Sequence, residues 1–137
     1  ETISARLQSF IPQCAANETG FVHGDLHPGQ MLLGAERVGF LDFDRAHRGN
    51  VLFDVGNFLA QLWMGSQTRP QWPDASLGEL FAGTYALKAE RLLSESEISL
   101  WTAFSLFRCA YVPFGRFEPD WRTRTLAVLD HAATLIA

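Results

Sequence analysis

Three side chains in the first third of the sequence have the types and spacing needed for acid–base and metal chemistry on a phosphoryl group. Asp25 lies in a Gly- and Pro-rich loop directly after a short apolar run, where a loop can present a functional carboxylate from a rigid support. Gln30 follows five residues later and opens a predicted β-hairpin, which Asp42 closes. Asp25 could orient an acceptor hydroxyl group and take its proton late in a phosphoryl transfer.

The predicted hairpin brings Gln30 and Asp42 together. The connection over 34–36 is expected to be three residues long. A turn centred near residue 36 would place the two residues directly opposite each other, with Cβ atoms about 5 Å apart on one face. A carboxylate and an amide oxygen at that separation could share one hard cation such as Mg²⁺, which also binds phosphate oxygens. The sequence therefore predicts a magnesium site at the base of the hairpin.

Each of these residues also has a purely structural interpretation. Asp25 can cap a turn, Asp42 can end a strand, and Gln30 can be a solvated polar residue. Their joint spacing is His-x-Asp, an amide five residues after the Asp, and a hairpin that ends in apolar-Asp-Phe. This combination matches the catalytic loop and metal-binding Asp of kinases, and it favours phosphoryl transfer over three unrelated structural roles.

The elements that must position these side chains form a short mixed front half and a helical back half. Apolar spacing predicts a helix over 3–16, a strand entering a turn at 21–23, and hairpin strands at 31–33 and 38–41. The remaining predicted helices cover 50–64, 75–92, 95–111 and 118–136.

Helix-end signals support this division. Asn50 is the expected cap of the helix over 50–64. Ser94 and Glu97 have the spacing of a capping box, and Pro113 with Gly115 separates the last two helices.

Asp54 lies on the apolar stripe of the predicted helix over 50–64, three residues after Val51 and four before Phe58. A carboxylate that faces a core must be hydrogen-bonded, since leaving it unpaired costs several kcal/mol. The nearest credible donors are backbone N–H groups of the loop around Asp25. We therefore expect Asp54 to pre-organise Asp25 and not to react itself.

Composition excludes several classes of protein. The 137 residues, 47% hydrophobic and 19% charged, suffice for one globular core, and the net charge of −4 argues against a nucleic-acid partner. No run approaches the roughly 18 uninterrupted apolar residues of a membrane span. Cys14 and Cys109 form neither a C-x-x-C motif nor a His/Cys pattern, so they suit the reducing cytoplasm.

Three segments resemble the aminoglycoside phosphotransferase and choline kinase-like family. Residues 23–29 (HGDLHPG) are similar to its catalytic loop, 41–44 (LDFD) to its metal-binding segment, and 54–60 (DVGNFLA) to the helix that supports the loop. The family usually has Asn at the position of Gln30, and the Gln variant resembles maltokinase-type members.

The resemblance implies a protein-kinase-like fold of the α+β class (α/β in the broad sense), mainly helical, with a small hairpin packed on helices. It implies that Asp25 is the catalytic base, that Asp42 and Gln30 bind Mg²⁺, and that ATP is the phosphoryl donor, with GTP as an alternative. It also implies that Asp54 supports the catalytic loop.

Three further residues near the loop have competing interpretations. His23 either carries a proton or supports the loop, and because it follows an apolar residue it is expected to support the loop by bonding to backbone. His27 either contacts phosphate or acceptor or packs beside Pro28, and Asp44 either adds a second carboxylate to the metal site or is simply exposed. His23 and His27 do not form a zinc site, because the loop between them is not helical.

The sequence lacks the usual triphosphate-binding motifs. No two glycines are spaced G-x-G, and its one lysine, Lys88, falls in a predicted helix. In the family that the chain resembles, both features belong to an amino-terminal lobe. We therefore expect residues 1–137 to be the carboxy-terminal catalytic and acceptor lobe, inactive by itself, with the amino-terminal nucleotide lobe of the same protein absent.

Two alternatives remain beside a small-molecule kinase lobe. A missing lobe would allow a non-catalytic relic or a regulatory module, and the same carboxylates could serve a metal-dependent hydrolase. The face that would meet the absent lobe should be apolar and should promote self-association.

The back half should hold the acceptor. From residue 100 onward it has more arginines than acids, whereas a polycationic aminoglycoside requires a strongly acidic pocket. A neutral or anionic hydroxyl compound such as a sugar is therefore favoured. The candidate contacts are Arg116, Glu118, Asp120 and Trp121.

Overall fold

The computed structural model describes residues 2–15, 19–69, 71–72, 75–90 and 92–137. The strands are β1 (Thr19–Val22), β2 (Met31–Leu33), β3 (Val38–Phe40) and β4 (His47–Asn50), with a 3₁₀ turn at Pro28–Gln30. The helices are α1 (Ile3–Ala15), α2 (Leu52–Ser66), α3 (Ala75–Lys88), α4 (Glu95–Cys109), α5 (Val112–Gly115) and α6 (Trp121–Leu135). This is the predicted α+β class, mainly helical. None of the described helices is long and apolar enough to span a membrane.

Helices α2, α4 and α6 form the core on which the site is built. Small residues allow their close approach: Ala60, Ala103 and Ala132 are fully buried. A Cβ atom on Gly56 of α2 would collide with the backbone of Trp101 in α4, so only glycine permits this crossing. The close contact fixes α2, and α2 in turn carries the residues that hold the loop around Asp25.

Strands β1 and β4 pair antiparallel, from Thr19 opposite Asn50 to Val22 opposite His47. Strand β4 is missing from the sequence prediction, because His47-Arg48-Gly49-Asn50 has no apolar alternation. Its pairing with β1 brings the start of α2 beside the loop that follows Val22.

The hairpin of β2 and β3 has a different register from the predicted one. Met31 pairs with Phe40, and the backbone N–H of Gly34 donates to the carbonyl of Arg37 at 2.8 Å. The connection is thus two residues long and not three, which moves every pair by one residue. Gln30 lies opposite Leu41, whose N–H donates to the Gln30 carbonyl at 2.9 Å, so the predicted direct pairing of Gln30 with Asp42 is wrong.

The predicted capping signals are present, with one shift. Ser94 Oγ accepts from the Glu97 N–H, and the Ser94 N–H donates to the Glu97 carboxylate, both at 3.2 Å, so the capping box is confirmed. Asn50 does not occupy the cap position of α2, which Val51 takes. Its Oδ1 instead accepts from the Leu52 N–H at 2.9 Å, so it still binds a free N–H of the first turn.

The hairpin presents apolar side chains on both of its faces. Neighbouring Leu32 and Leu33 point to opposite faces, and they are 58% and 80% exposed. We call the exposed set of Leu32, Leu33, Val38, Phe40 and Leu41 the hairpin patch. An apolar surface of this kind on an isolated two-stranded ribbon indicates a contact surface.

Candidate active site

Asp54 holds the loop that carries Asp25. Its two carboxylate oxygens accept from the backbone N–H groups of His23, at 2.6 Å, and Gly24, at 3.0 Å. These are the donors expected from the position of Asp54 on the apolar stripe of α2. A carboxylate with both oxygens bonded to backbone fixes two successive peptide groups. The backbone that leads into Asp25 is therefore fixed.

The ring of His23 ties the loop to the chain before Asp42. The ring is buried, and its Nε2 lies 2.8 Å from the carbonyl oxygen of Leu41. Because a carbonyl only accepts, Nε2 must carry the proton. Nδ1 is then the acceptor for the Asp25 N–H at 3.4 Å, and the Phe43 ring packs 4.8 Å from the imidazole. His23 therefore bonds to backbone on both sides, as expected for a structural histidine.

Gly24 makes the close approach between the loop and the segment after Asp42 possible. Its φ of 83° lies in the left-handed region, which costs other residues energy. A Cβ atom there would also overlap the carbonyl group of Arg45. Backbone conformation and space therefore both require glycine at this position.

Asn57 is a site residue to which the sequence analysis gave no role. Fully buried on α2, it donates from Nδ2 to the carbonyl of Leu26 at 2.9 Å and accepts from Arg108 Nη2 at 2.8 Å. The Arg108 guanidinium also lies over the Phe53 ring, 4.8 Å from its centre. The sequence feature that could have indicated this role is an amide on the apolar stripe, three residues after Asp54. Asn57 thus joins the loop around Asp25 to α4.

Gln30 and Asp42 meet through their side chains although they are not opposite each other in the hairpin. Gln30 Nε2 donates to Asp42 Oδ2 at 3.0 Å. Asp42 has a φ of 60°, a strained value for a residue other than glycine, and this bend turns it away from the strand direction. Such outliers persist where surrounding contacts hold the backbone. Here the residue before Asp42, Leu41, is held by its hydrogen bond to the His23 ring.

The donor set of this pair suits Mg²⁺ held jointly with other oxygens. The pair supplies carboxylate and amide oxygens, the hard ligands that this cation prefers, and Asp42 is exposed. Among the described residues, no group of three or more His, Cys, Asp or Glu side chains could enclose a metal. The neighbouring Asp44 is exposed and in a turn. Water and substrate phosphates would therefore have to complete any coordination shell.

A cavity of about 600 Å³ opens beside Asp25. Its lining includes Asp25 and His27 from the loop, together with the predicted acceptor contacts Arg116, Glu118 and Asp120. Trp121 is not part of the lining, since its ring packs 5.1 Å from Phe114. The structure therefore gathers three of the four candidate acceptor residues around the candidate base.

Two groups in the cavity wall are held in their neutral forms by burial. Burial lowers the pKa of His27, and the nearby Asp25 carboxylate only partly opposes this effect. His27 Nδ1 accepts from the Gly29 N–H at 3.0 Å, which also favours the neutral ring. Burial raises the pKa of the Cys109 thiol. Neither group offers a positive or negative charge to a ligand near neutral pH.

Sequence comparison relates the chain to kinases of small molecules. Residues 1–92 match the model of the phosphotransferase enzyme family. The chain is 30% identical over 128 residues to the methylthioribose kinase of Bacillus pumilus (strain SAFR-032), an alignment that covers 85% of this chain and 32% of that kinase. It is 36% identical over 50 residues to the methylthioribose kinase of Geobacillus sp. (strain WCH70), which covers 36% of this chain and 12% of that kinase. The chain thus spans about a third or less of these relatives' length, and no solved structure matches it significantly.

Proposed function

The chain belongs to the phosphotransferase enzyme family, and from this premise we propose that it supplies the catalytic base and the acceptor site of an ATP-dependent kinase that phosphorylates a small hydroxyl compound. The observation that carries the proposal is the placement of Asp25. Asp54 and His23 hold its loop, the Gln30–Asp42 pair lies on the neighbouring segment, and the cavity opens beside it.

In the proposed reaction, the acceptor hydroxyl lies against the Asp25 carboxylate. Its oxygen forms a bond to the γ-phosphorus of ATP, the bond from that phosphorus to the oxygen of the departing ADP breaks, and the hydroxyl proton passes to Asp25. Most of the rate enhancement in such transfers comes from positioning and charge stabilisation. The hydrogen bonds that fix the peptide groups of His23 and Gly24 supply this positioning.

Asp42 and Gln30 would hold a Mg²⁺ ion together with phosphate oxygens of the nucleotide. Bound there, the ion would neutralise charge that develops on the transferred group. Asp42 contributes the formal charge, and Gln30 contributes a neutral oxygen that orients the ion. Asp44 is a further candidate ligand from the same segment.

We propose a sugar-like acceptor in preference to an aminoglycoside. Arg116, Glu118 and Asp120 offer both donors and acceptors for hydroxyl groups, whereas the cavity lacks the acidic excess that a polycation requires. The relatives are named for methylthioribose, a sugar derivative, which agrees with this acceptor class.

We further propose that an amino-terminal nucleotide lobe of the same protein covers the hairpin patch. The patch is exposed on both faces of the ribbon next to Asp42, where the adjoining nucleotide would have to lie. Self-association of this chain through the patch is the expected behaviour when that lobe is absent.

The test is ATP-dependent phosphorylation of a panel of sugars and kanamycin, followed by mass spectrometry, with the complete protein that carries these residues. Asp25→Asn should lower transfer by at least about 10²-fold because the base is removed, whereas Asp130→Asn on the exposed side of α6 should leave it unchanged. Full activity of Asp25→Asn would remove Asp25 from the reaction. Absence of transfer to every hydroxyl compound would favour a non-catalytic module.

A further inference from the structure

Arginines outnumber carboxylates in the wall of the cavity beside Asp25. The arginines of the described lining are Arg45, Arg69, Arg108, Arg116 and Arg124. The carboxylates of the described lining are Asp25, Glu118 and Asp120. A cavity with this excess of positive charge attracts anions and repels cations.

Pairing within the wall leaves the excess in place. Arg124 forms an ion pair with Glu118, so these two charges cancel. The neutral His27 and Cys109 add no charge. Four arginines and two carboxylates of the described lining therefore remain outside this ion pair. One of the two carboxylates, Asp25, is the candidate base.

Two of the arginines are held in place by aromatic rings. The Arg108 guanidinium lies over Phe53, and its Nη2 donates to Asn57. The Arg69 guanidinium lies over the Trp72 ring, 4.7 Å from its centre. Stacked and bonded guanidinium groups lose less side-chain freedom when they bind a ligand, so they suit recognition of a carboxylate or phosphate.

The wall also contains two buried donors without an acceptor. Neither Trp72 Nε1 nor Arg108 Nε has a hydrogen-bond partner among the residues that the structure describes. A buried N–H group without a partner is costly. Gly65 is part of this arrangement, because a Cβ atom there would displace the Trp72 indole.

The positive charge belongs to the acceptor cavity and not to the metal pair. Neither Gln30 nor Asp42 is among the residues of the cavity lining. Arg116, by contrast, lies near His27 within the cavity, and its charge contributes to the lowered pKa of that ring. An anion held here would therefore be part of the molecule that presents its hydroxyl to Asp25.

We propose that the acceptor carries an anionic group, a carboxylate or a phosphate ester, which the arginines of this cavity bind while a hydroxyl of the same molecule lies against Asp25. This inference rests on the proposed function, since it names the acceptor class of that same site. An oxyanion fits the stacked guanidinium groups, since a carboxylate or phosphate accepts charge-assisted hydrogen bonds from them.

D-glucose and two sugars that each differ from it in one substituent, D-glucosamine and D-glucuronate, test the proposal. Their binding to this chain is measured by calorimetry without nucleotide, at about 50 mM and about 300 mM salt. Glucuronate should bind at least about tenfold more tightly than glucose, glucosamine should bind more weakly than glucose, and the preference should shrink at the higher salt concentration. Equal binding of glucose and glucuronate, or no binding of glucuronate, would overturn the proposal.

Variants identify the groups responsible. Arg69→Gln and Arg116→Gln should each reduce the ratio of glucuronate to glucose affinity several-fold, and Arg116→Lys should restore part of it because the charge returns. Both arginines are exposed, so the substitutions leave the core intact. Arg37→Gln, at the exposed hairpin turn, is the matched control and should leave the ratio unchanged. A ratio that survives both Gln variants would contradict the assignment.

Kinase assays of the complete protein separate this proposal from the proposed function. Transfer to neutral sugars alone would leave the kinase proposal intact and overturn the anionic acceptor. Preference for glucuronate without transfer to any hydroxyl compound would support the anion site and overturn the kinase. A raised KM for ATP in Arg69→Gln and Arg116→Gln, with an unchanged glucuronate ratio, would assign the arginines to the phosphates of the donor and overturn the proposal.

Discussion

The side-chain amide of Gln30 donates a 3.0 Å hydrogen bond to the carboxylate of Asp42 at the open end of the hairpin. Leu41, the residue before Asp42, accepts a hydrogen bond from the buried ring of His23, and this bond fixes the backbone next to the pair. Position and chemistry therefore make it the proposed metal-binding pair, with unequal contributions from the two residues.

Substitution of this pair should change the magnesium dependence of the complete enzyme. Asp42→Ala should lower kcat by at least about tenfold more than Gln30→Ala, because it removes the charged ligand. Gln30→Asn should keep much of the activity, since the amide oxygen survives. The measurement is kcat against Mg²⁺ concentration, with Glu36→Gln at the hairpin turn as the control. Small and equal losses for the two Ala variants would mean that the pair does not hold the ion.

Removal of the Asp54 carboxylate should destabilise the chain. Asp54→Ala leaves the N–H groups of His23 and Gly24 without their acceptors, and we expect a loss of about 1–3 kcal/mol in the free energy of unfolding. Urea denaturation measures the change. Asp130→Ala, an exposed substitution on α6, should change stability by less than about 0.5 kcal/mol. If Asp54→Ala matched this control, the two hydrogen bonds would not contribute to stability.

Alanine should have opposite effects at two glycines. Gly24→Ala forces a Cβ atom into the carbonyl of Arg45 at a left-handed φ, and should cost more than about 1 kcal/mol of stability and most of the catalytic activity. Gly83 lies in α3, and a Cβ atom there would have no heavy atom within 4 Å. Gly83→Ala should therefore stabilise the chain by about 0.5–1 kcal/mol. Thermal denaturation of both variants compares the signs, and stabilisation by Gly24→Ala would contradict the described loop.

Acid should weaken the fold through two histidines. Burial lowers the pKa of His27 and of His131 from the ordinary value of 6.5. The unfolded chain therefore takes up protons first as the pH falls, and the free energy of unfolding decreases below about pH 6.5 until the pH reaches the folded-state pKa values. Urea denaturation at about pH 7.5 and about pH 5.5 measures this decrease, which should be smaller in the double variant His27→Gln, His131→Gln. An identical decrease in both proteins would show that other groups cause it.

Local patterns in the sequence predict the parts of the site that depend on one segment. Asp54 could be assigned to the loop because its place on an apolar stripe follows from helical periodicity alone. The capping box at Ser94 is local in the same way. The hairpin register could not be obtained, because one residue more or less in the turn shifts all pairs, and Gly34-Ala35-Glu36 allows both lengths.

Apart from the bonds between Asp54 and the loop, contacts between distant segments could not be predicted from the sequence. Asn57 and Arg108 are 51 residues apart, and their hydrogen bond depends on how α2 crosses α4. The pairing of β4 depends likewise on β1, since residues 47–50 carry no strand pattern of their own. The arginine-lined cavity could not be predicted for the same reason, because its charges come from α4, the loops and the start of α6.

The double-sided exposure of the hairpin also bears on how the chain behaves at high concentration. In the part of the chain that the structure describes, β2 and β3 pair only with each other, so each has an outer edge whose backbone groups are not paired with another strand and lie beside apolar side chains. Open edges of this kind are templates for the addition of a strand from another molecule. The proposed amino-terminal lobe would therefore have a second effect besides completing a nucleotide site. By covering these edges it would block edge-to-edge aggregation.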